Sequence, residues 1–208
     1  MTTTTRPTVM ELLKASTQDL HDAAENHEFQ RDMFKGKISR EAYAAYLGQM
    51  LLVHRTLEGR LTDVRSEVPV IGRIVASHQY QAPYLLEDLA FLDVDPDSIS
   101  PTPATKAIIE RIGRASPLAL LGMHYVLEGS NNGSRYIAVN IRKAFDLQPG
   151  RGDRYLDPYG EDQRQHWAAF KRDMDAEVFT DEQQETLVAA AREMFEAISH
   201  ISEDLAAL

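Results

Sequence analysis

Two short runs in this chain carry residue types that do chemistry. His21-Asp22-Ala23-Ala24-Glu25-Asn26 offers an imidazole able to bind a metal and, one helical turn on, a carboxylate able to orient that imidazole. Leu127-Glu128-Gly129-Ser130-Asn131-Asn132-Gly133-Ser134 places two glycines four apart within a helical pattern, at about 1 kcal/mol per glycine relative to alanine. Close approach of the helix backbone to a flat ligand would offset that cost. Together the runs point to a planar metal macrocycle clamped between two helices, with His21 as metal ligand and Gly129 and Gly133 on the opposite face.

Each run also has a plainer account. His21 projects on the same helix side as Leu13, Leu20 and Ala24, so it can be a buried histidine satisfied by Glu25 at i+4. Lys14, two turns earlier on nearly the same face, is either a solvated lysine or a cation for an acidic group of the ligand. Small residues at a spacing of four also suit close packing of two helices, or a simple helix break. The functional account adds Ser130, Asn131, Asn132 and Ser134, whose amides and hydroxyls can order a water beside bound dioxygen.

The histidine-then-acid spacing recurs at His54 and Glu58, His124 and Glu128, and His200 and Asp204. Helical bundles with several such pairs can hold two irons, but those sites combine bridging glutamates with Glu-x-x-His, which this chain lacks. Local helix salt bridges explain the repeats equally well. Gly-x-Ser-x-Gly and a phosphate-binding loop are absent, and Trp167, the single tryptophan, reads as core or a loop anchor.

The elements that must position these residues are helical. Apolar residues recur at three, four and seven, as in Met10, Leu13, Leu20, Ala23 and Ala24, and strand-like alternation is hard to find. The spacing predicts helices over roughly 9–26, 28–35, 40–64 (capped by Ser39), 70–77, 84–92, 104–115, 117–145 with an interruption near the glycines, 161–176 and 181–206. An all-α, single-domain bundle of about eight helices is expected, with residues 1–8 as a flexible N-terminus and 9–208 as the domain. Gln148 to Tyr159 is the longest loop.

A length of 208 residues with 43% hydrophobic content suits one core. No cysteine is present, which excludes disulfides, zinc–thiolate sites and cysteine nucleophiles and fits a reducing cytosol. The start has no apolar signal run and no stretch approaches a membrane span, so a cytoplasmic protein without membrane attachment is expected. With 32 acidic against 22 basic residues the net charge of -10 repels nucleic acid.

Leu13 to Asn26, followed by Phe29, Lys35-Gly36 and Ser39-Arg40, resembles the N-terminal block of the heme oxygenases. The likeness continues through Glu128-Gly129-Ser130-x-x-Gly133 and Tyr159-Gly160-Glu161 to Phe195. It implies His21 as the proximal heme ligand, Glu25 as the partner of that imidazole, and Gly129 to Gly133 as a kinked distal helix over the heme. It also implies Lys14, Lys171 and Arg172 facing the propionates. The better-known branch carries an aspartate where this chain has Ser130, whereas a bacterial branch has Glu-Gly-Ser-x-x-Gly. Polar residues that hold distal water in the first branch are replaced by His54, Val126 and Ile198. The chemistry implied is self-hydroxylation of bound heme by dioxygen, giving biliverdin, carbon monoxide and ferrous iron. Electrons would come from an external reductase or ferredoxin, docked by Lys35, Lys37 and Arg40, and the protein would be a monomer or weak dimer. A non-catalytic heme-binding protein and a di-iron or thiamin-salvage relative are the alternatives, and the lack of cysteine weighs against thiamin salvage.

Overall fold

The computed structural model describes residues 6–208, and the described residues form nine α-helices with no strand. The helices are α1 (Val9–Asn26), α2 (Glu28–Phe34), α3 (Arg40–Val64), α4 (Pro69–Ile74), α5 (Ala82–Phe91), α6 (Pro103–Gly113), α7 (Pro117–Phe145), α8 (Gln163–Asp175) and α9 (Asp181–Ala206). Of the N-terminal segment expected to be flexible, residues 1–5 lie outside the described residues. Thr8 already belongs to the fold as the cap of α1: its hydroxyl accepts the Glu11 N–H and Glu11 accepts its N–H, a capping box. Ser39 caps α3 as its spacing predicts, and Thr102, Ser116 and Thr180 cap α6, α7 and α9.

The predicted interruption of the 117–145 segment is not present, since α7 runs unbroken from Pro117 to Phe145. Two glycines weaken intrinsic propensity by about 2 kcal/mol in total, but α7 packs against α2, α3, α8 and α9, and that packing outweighs propensity. Around the glycines, two side chains compete for the helix carbonyls. Ser130 Oγ donates to Leu127 O at 2.7 Å and Asn132 Nδ2 donates to Gly129 O at 2.9 Å.

Close helix packing does use a glycine of α7, but a different one. A Cβ on Gly122 would lie 2.3 Å from the Leu187 carbonyl oxygen of α9, so the α7 and α9 backbones meet there as only glycine allows. α9 also packs on α1 and α6. α3 supplies much of the core through Tyr43, Leu47, Met50, Leu51, Leu57 and Leu61.

The segment 148–159 has little regular structure yet is firmly held. Asp88 of α5, fully buried, accepts the N–H groups of Arg154 and Tyr155 at 2.9 and 2.8 Å. Asp153, also fully buried, accepts the Gly150 N–H at 2.8 Å and pairs with Arg142. Tyr43 donates to the Gly152 carbonyl at 2.9 Å, and Gly152, at φ 85°, leaves no room for a Cβ against Phe91.

Gly122→Ala should therefore cost about 1–3 kcal/mol of stability through forced separation of α7 and α9. Gly59→Ala, exposed on α3 with nothing near its Cβ position, should add about 0.5–1 kcal/mol. Urea midpoints of the two variants moving in opposite directions check both; equal shifts would contradict the contact at Gly122.

Candidate functional site

Residues of α1, α2, α3, α7, α8 and α9, with Tyr155 and Leu156 of the 148–159 segment, line a cavity of about 1190 Å³, just above the usual range for small-molecule sites. On α1 the buried stripe of Met10, Leu13 and Thr17 continues, one turn on, to His21, whose side chain is 50% exposed and faces this cavity. The Phe195 ring of α9 meets the imidazole edge-on at 5.9 Å. Glu25 Oε1 lies 3.7 Å and Asp22 Oδ1 3.9 Å from Nδ1. Both exceed hydrogen-bond length, so these carboxylates act on the imidazole through their charge.

The two glycines of the central motif, both in the cavity wall, play different parts. A Cβ on Gly129 would meet the Trp167 ring at 3.3 Å, so its bareness makes room for the indole. At Gly133 nothing lies within 4 Å, so a side chain there would project into open space. Trp167, read from sequence as core or a loop anchor, is a cavity wall residue stacked on Phe170 at 5.5 Å. Ser130 and Asn132 also line the cavity, whereas Asn131 is buried and donates to Glu128 Oε2 at 3.3 Å.

Lys14 and Lys171 both reach the cavity, as do Arg31 of α2 and Lys35, the residue just past its end. Arg172 does not. One residue along a helix turns the side chain by about 100°, and Arg172 instead pairs with Asp173 at 2.7 Å, 72% exposed. Lys37 and Arg40 also lie outside the lining, and Arg40 sits over the Phe91 ring. Val126 and Ile198 line the cavity with apolar surface, but His54 stands behind it, 3% exposed.

The four histidine-then-acid pairs separate into distinct structures. His54 and Glu58 form a buried pair at 2.9 Å, and His21 and Glu25 the looser one described above. His124 turns instead to Gln79 at 3.2 Å, and Asp204 accepts the Ala104 N–H at 2.8 Å near the start of α6. Among the described residues the one cluster of three candidate ligand atoms is His21, Asp22 and Glu25, all exposed on α1, which does not resemble a di-iron site buried between helices. A flat macrocycle fits better: an imidazole presented to the cavity, a wall without Cβ at Gly133, apolar sides, and lysines for acidic substituents.

Glu128 is 2% exposed and accepts from the Tyr159 hydroxyl at 2.9 Å, while its Oε1 has no partner. Burial pushes its carboxyl up to about 8, partly opposed by the hydrogen bonds from Tyr159 and Asn131. Between the ordinary value of 4.5 and about 8 the folded chain holds a proton that the unfolded chain has lost. Stability should accordingly fall as pH rises through that window, by up to about 1.4 kcal/mol per pH unit. Glu128→Gln should flatten this slope in urea midpoints taken across the window, and an unchanged slope would mean that Glu128 ionises normally.

The family model described as heme oxygenase matches residues 8–204. Human heme oxygenase 1 is 29% identical over 151 residues, covering 69% of this chain and 51% of that protein, so the chain spans about half the length of such a curated relative. Among solved structures, the heme oxygenase of Leptospira interrogans superposes with a TM-score of 0.86 at 24% identity, over 94% of this chain and 98% of that one. Heme oxygenase-2 from Synechocystis sp. PCC 6803, in complex with heme and NO, gives 0.89 at 23% identity, over 96% and 85%. At these identities the two structures establish a shared fold. No helix among the described residues is long and apolar enough to cross a membrane.

Proposed function

The chain belongs to the heme oxygenase family, and from that premise we propose that it binds heme in the cavity between α1 and α7 and cleaves it oxidatively to biliverdin, carbon monoxide and ferrous iron. The observation that carries this reading is that one cavity is lined both by the half-exposed His21 imidazole on α1 and by the side-chain-free wall at Gly133 on α7. Heme would supply both the iron that activates dioxygen and the carbon skeleton that is oxidised. His21 would hold the iron, with the Glu25 and Asp22 carboxylates 3.7 and 3.9 Å from its Nδ1. Lys14 and Lys171 would pair with the propionates and set the orientation of the ring. The bare backbone at Gly133, beside Ser130, would let dioxygen and the macrocycle edge lie against the helix.

Electrons would come from an external reductase or ferredoxin, because the sequence carries no motif for a flavin or nicotinamide. The acting unit would be residues 9–208 as one domain, a monomer or weak dimer in the cytoplasm. A second reading, heme binding without cleavage, draws on the apolar lining that Val126 and Ile198 give the cavity.

Hemin added to the apoprotein should give a Soret band that decays, with growth of biliverdin absorbance, once reductant and air are supplied. A stable band supports binding alone, and no band removes the proposal. His21→Ala should weaken heme binding and abolish most turnover, with external imidazole restoring part of it; unchanged spectra would place the ligand elsewhere. Gly133→Leu should fill the cavity and lower heme affinity or turnover at least about tenfold while the urea midpoint moves little. Unaltered turnover in that variant would end the assignment of this wall to the ligand.

A further inference from the structure

Between Gly129 and Ser134 α7 is unbroken helix, so its backbone N–H groups are committed to its own carbonyls. A hydrogen for a ligand on this wall must come from a side chain, and Ser130, Asn132 and Ser134 are the polar ones that line the cavity there. Two of the three have none to give. The Ser130 hydroxyl donates to Leu127 O at 2.7 Å and the Ser134 hydroxyl to Leu156 O at 2.8 Å. Asn132 differs, because an amide nitrogen carries two hydrogens. One goes to Gly129 O at 2.9 Å, and the amide oxygen accepts from Gln163 Nε2 at 3.2 Å. Gly129 O can only accept, so the amide nitrogen faces it and the amide oxygen faces Gln163. The second N–H of Asn132 has no partner among the described residues, and the side chain is partly open on the cavity.

Resting on the heme-binding reading, we infer that Asn132 is the hydrogen-bond donor to dioxygen on the α7 side of the cavity, held in position by Gln163. A carboxamide is planar, so fixing its oxygen and one of its hydrogens fixes the direction of the other. The donor therefore stands preformed and need not reorganise when a ligand arrives. A side-chain amide does not titrate, so Asn132 stabilises charge on a neighbouring oxygen without acting as an acid toward it. Ser130 cannot take this part while its hydrogen is on Leu127 O.

The placement of Gln163 suits this role. It is the first residue of α8 and 3% exposed, and among the described residues its side chain makes one hydrogen bond, to Asn132. A buried amide without partners is costly, so that bond keeps the side chain turned to α7. Trp167, one turn further along α8, lies on the same helix face and fills the space that Gly129 leaves. α8 thus meets the glycine motif at two points: the indole sets its distance from α7, and the Gln163 amide sets the orientation of Asn132.

The test uses the full chain loaded with ferrous heme. Asn132→Leu keeps the shape of the side chain and removes the donor; Gln163→Met keeps the buried length and removes the hold on Asn132. Dioxygen draws charge onto its outer oxygen and depends on a donor, whereas carbon monoxide does so far less. Asn132→Leu should therefore speed dioxygen release, followed by rapid mixing with carbon monoxide, about three- to tenfold and leave carbon monoxide release within about twofold. In the infrared, the C–O stretch of the carbon monoxide complex should move to higher frequency as the donor is lost. Gln163→Met should move both readouts the same way but less, since Gly129 O still holds one amide hydrogen. Asn132→Ala should repeat the Asn132→Leu pattern, with hemin affinity and urea midpoint close to those of the parent. Dioxygen release and a C–O stretch that match the parent overturn the inference and leave the heme reading standing. Equal acceleration for the two gases marks a steric change and overturns it as well, as does a loss of hemin affinity alone, which would put the amide against the macrocycle edge. Absence of a Soret band in the parent refutes both readings.

Discussion

The cavity exists because α7 is held tightly at one end and kept apart from α1 at the other. At Gly122 the absence of a Cβ lets α7 sit directly on the Leu187 carbonyl of α9. α9 is also packed against α1, so both helices are positioned by the same third element. Further along α7, past Val126, the wall turns toward the Trp167 and Phe170 stack and then to Gly133, where no protein atom takes the place of a side chain. Close packing and open volume are thus two consequences of glycines on one helix, seven and eleven residues apart, meeting different surroundings.

The second constraint is electrostatic. Asp88 and Asp153 are fully buried in the region where the chain passes from α7 to α8. Each satisfies backbone N–H groups of a segment with few such bonds of its own. Burial raises the Asp88 carboxyl to about 6 despite the lowering effect of those two bonds, so the desolvation cost is only partly recovered. What this arrangement secures is position: Tyr155 and Leu156 are delivered to the cavity on a segment that side-chain packing alone would leave under-determined. The Arg142 guanidinium, shared between Asp153 and Asp157, closes the same segment onto the last turns of α7.

Periodicity and capping residues made the fold legible where the information is local. The bounds of α1, α3 and α9 follow directly from apolar spacing, with Ser39 as the cap of α3, and His21 and Glu25 stand out because one turn of helix places them side by side. Where the information lies between distant segments, the sequence reading misplaced residues. The interruption expected in α7 followed from glycine propensity, which tertiary packing overrides. Glu128 looked like the partner of His124, but Tyr159, 31 residues later, takes that carboxyl. Arg172 looked equivalent to Lys171, yet one helical step moves it off the cavity. Tyr155 carried no local signal at all, since its position depends on Asp88, 67 residues earlier.

Two buried glutamates one residue from a helix glycine show how far the same sequence pattern can diverge. Glu58 precedes Gly59 and Glu128 precedes Gly129, and each follows a histidine by four. Glu58 is met by two backbone N–H groups and, at 2.9 Å, by the His54 imidazole. Glu128 is met by one phenol and one amide, with an oxygen left bare, and desolvation wins, so its proton stays on at neutral pH. The member with more donors stands behind the cavity on α3, and the protonated one stands within the helix whose backbone faces the cavity. A permanent negative charge beside Gly129 would disfavour charge building on a ligand oxygen there, whereas a protonated carboxyl imposes no such penalty. The donors around each carboxylate, rather than the spacing of histidine and glutamate, distinguish the two sites.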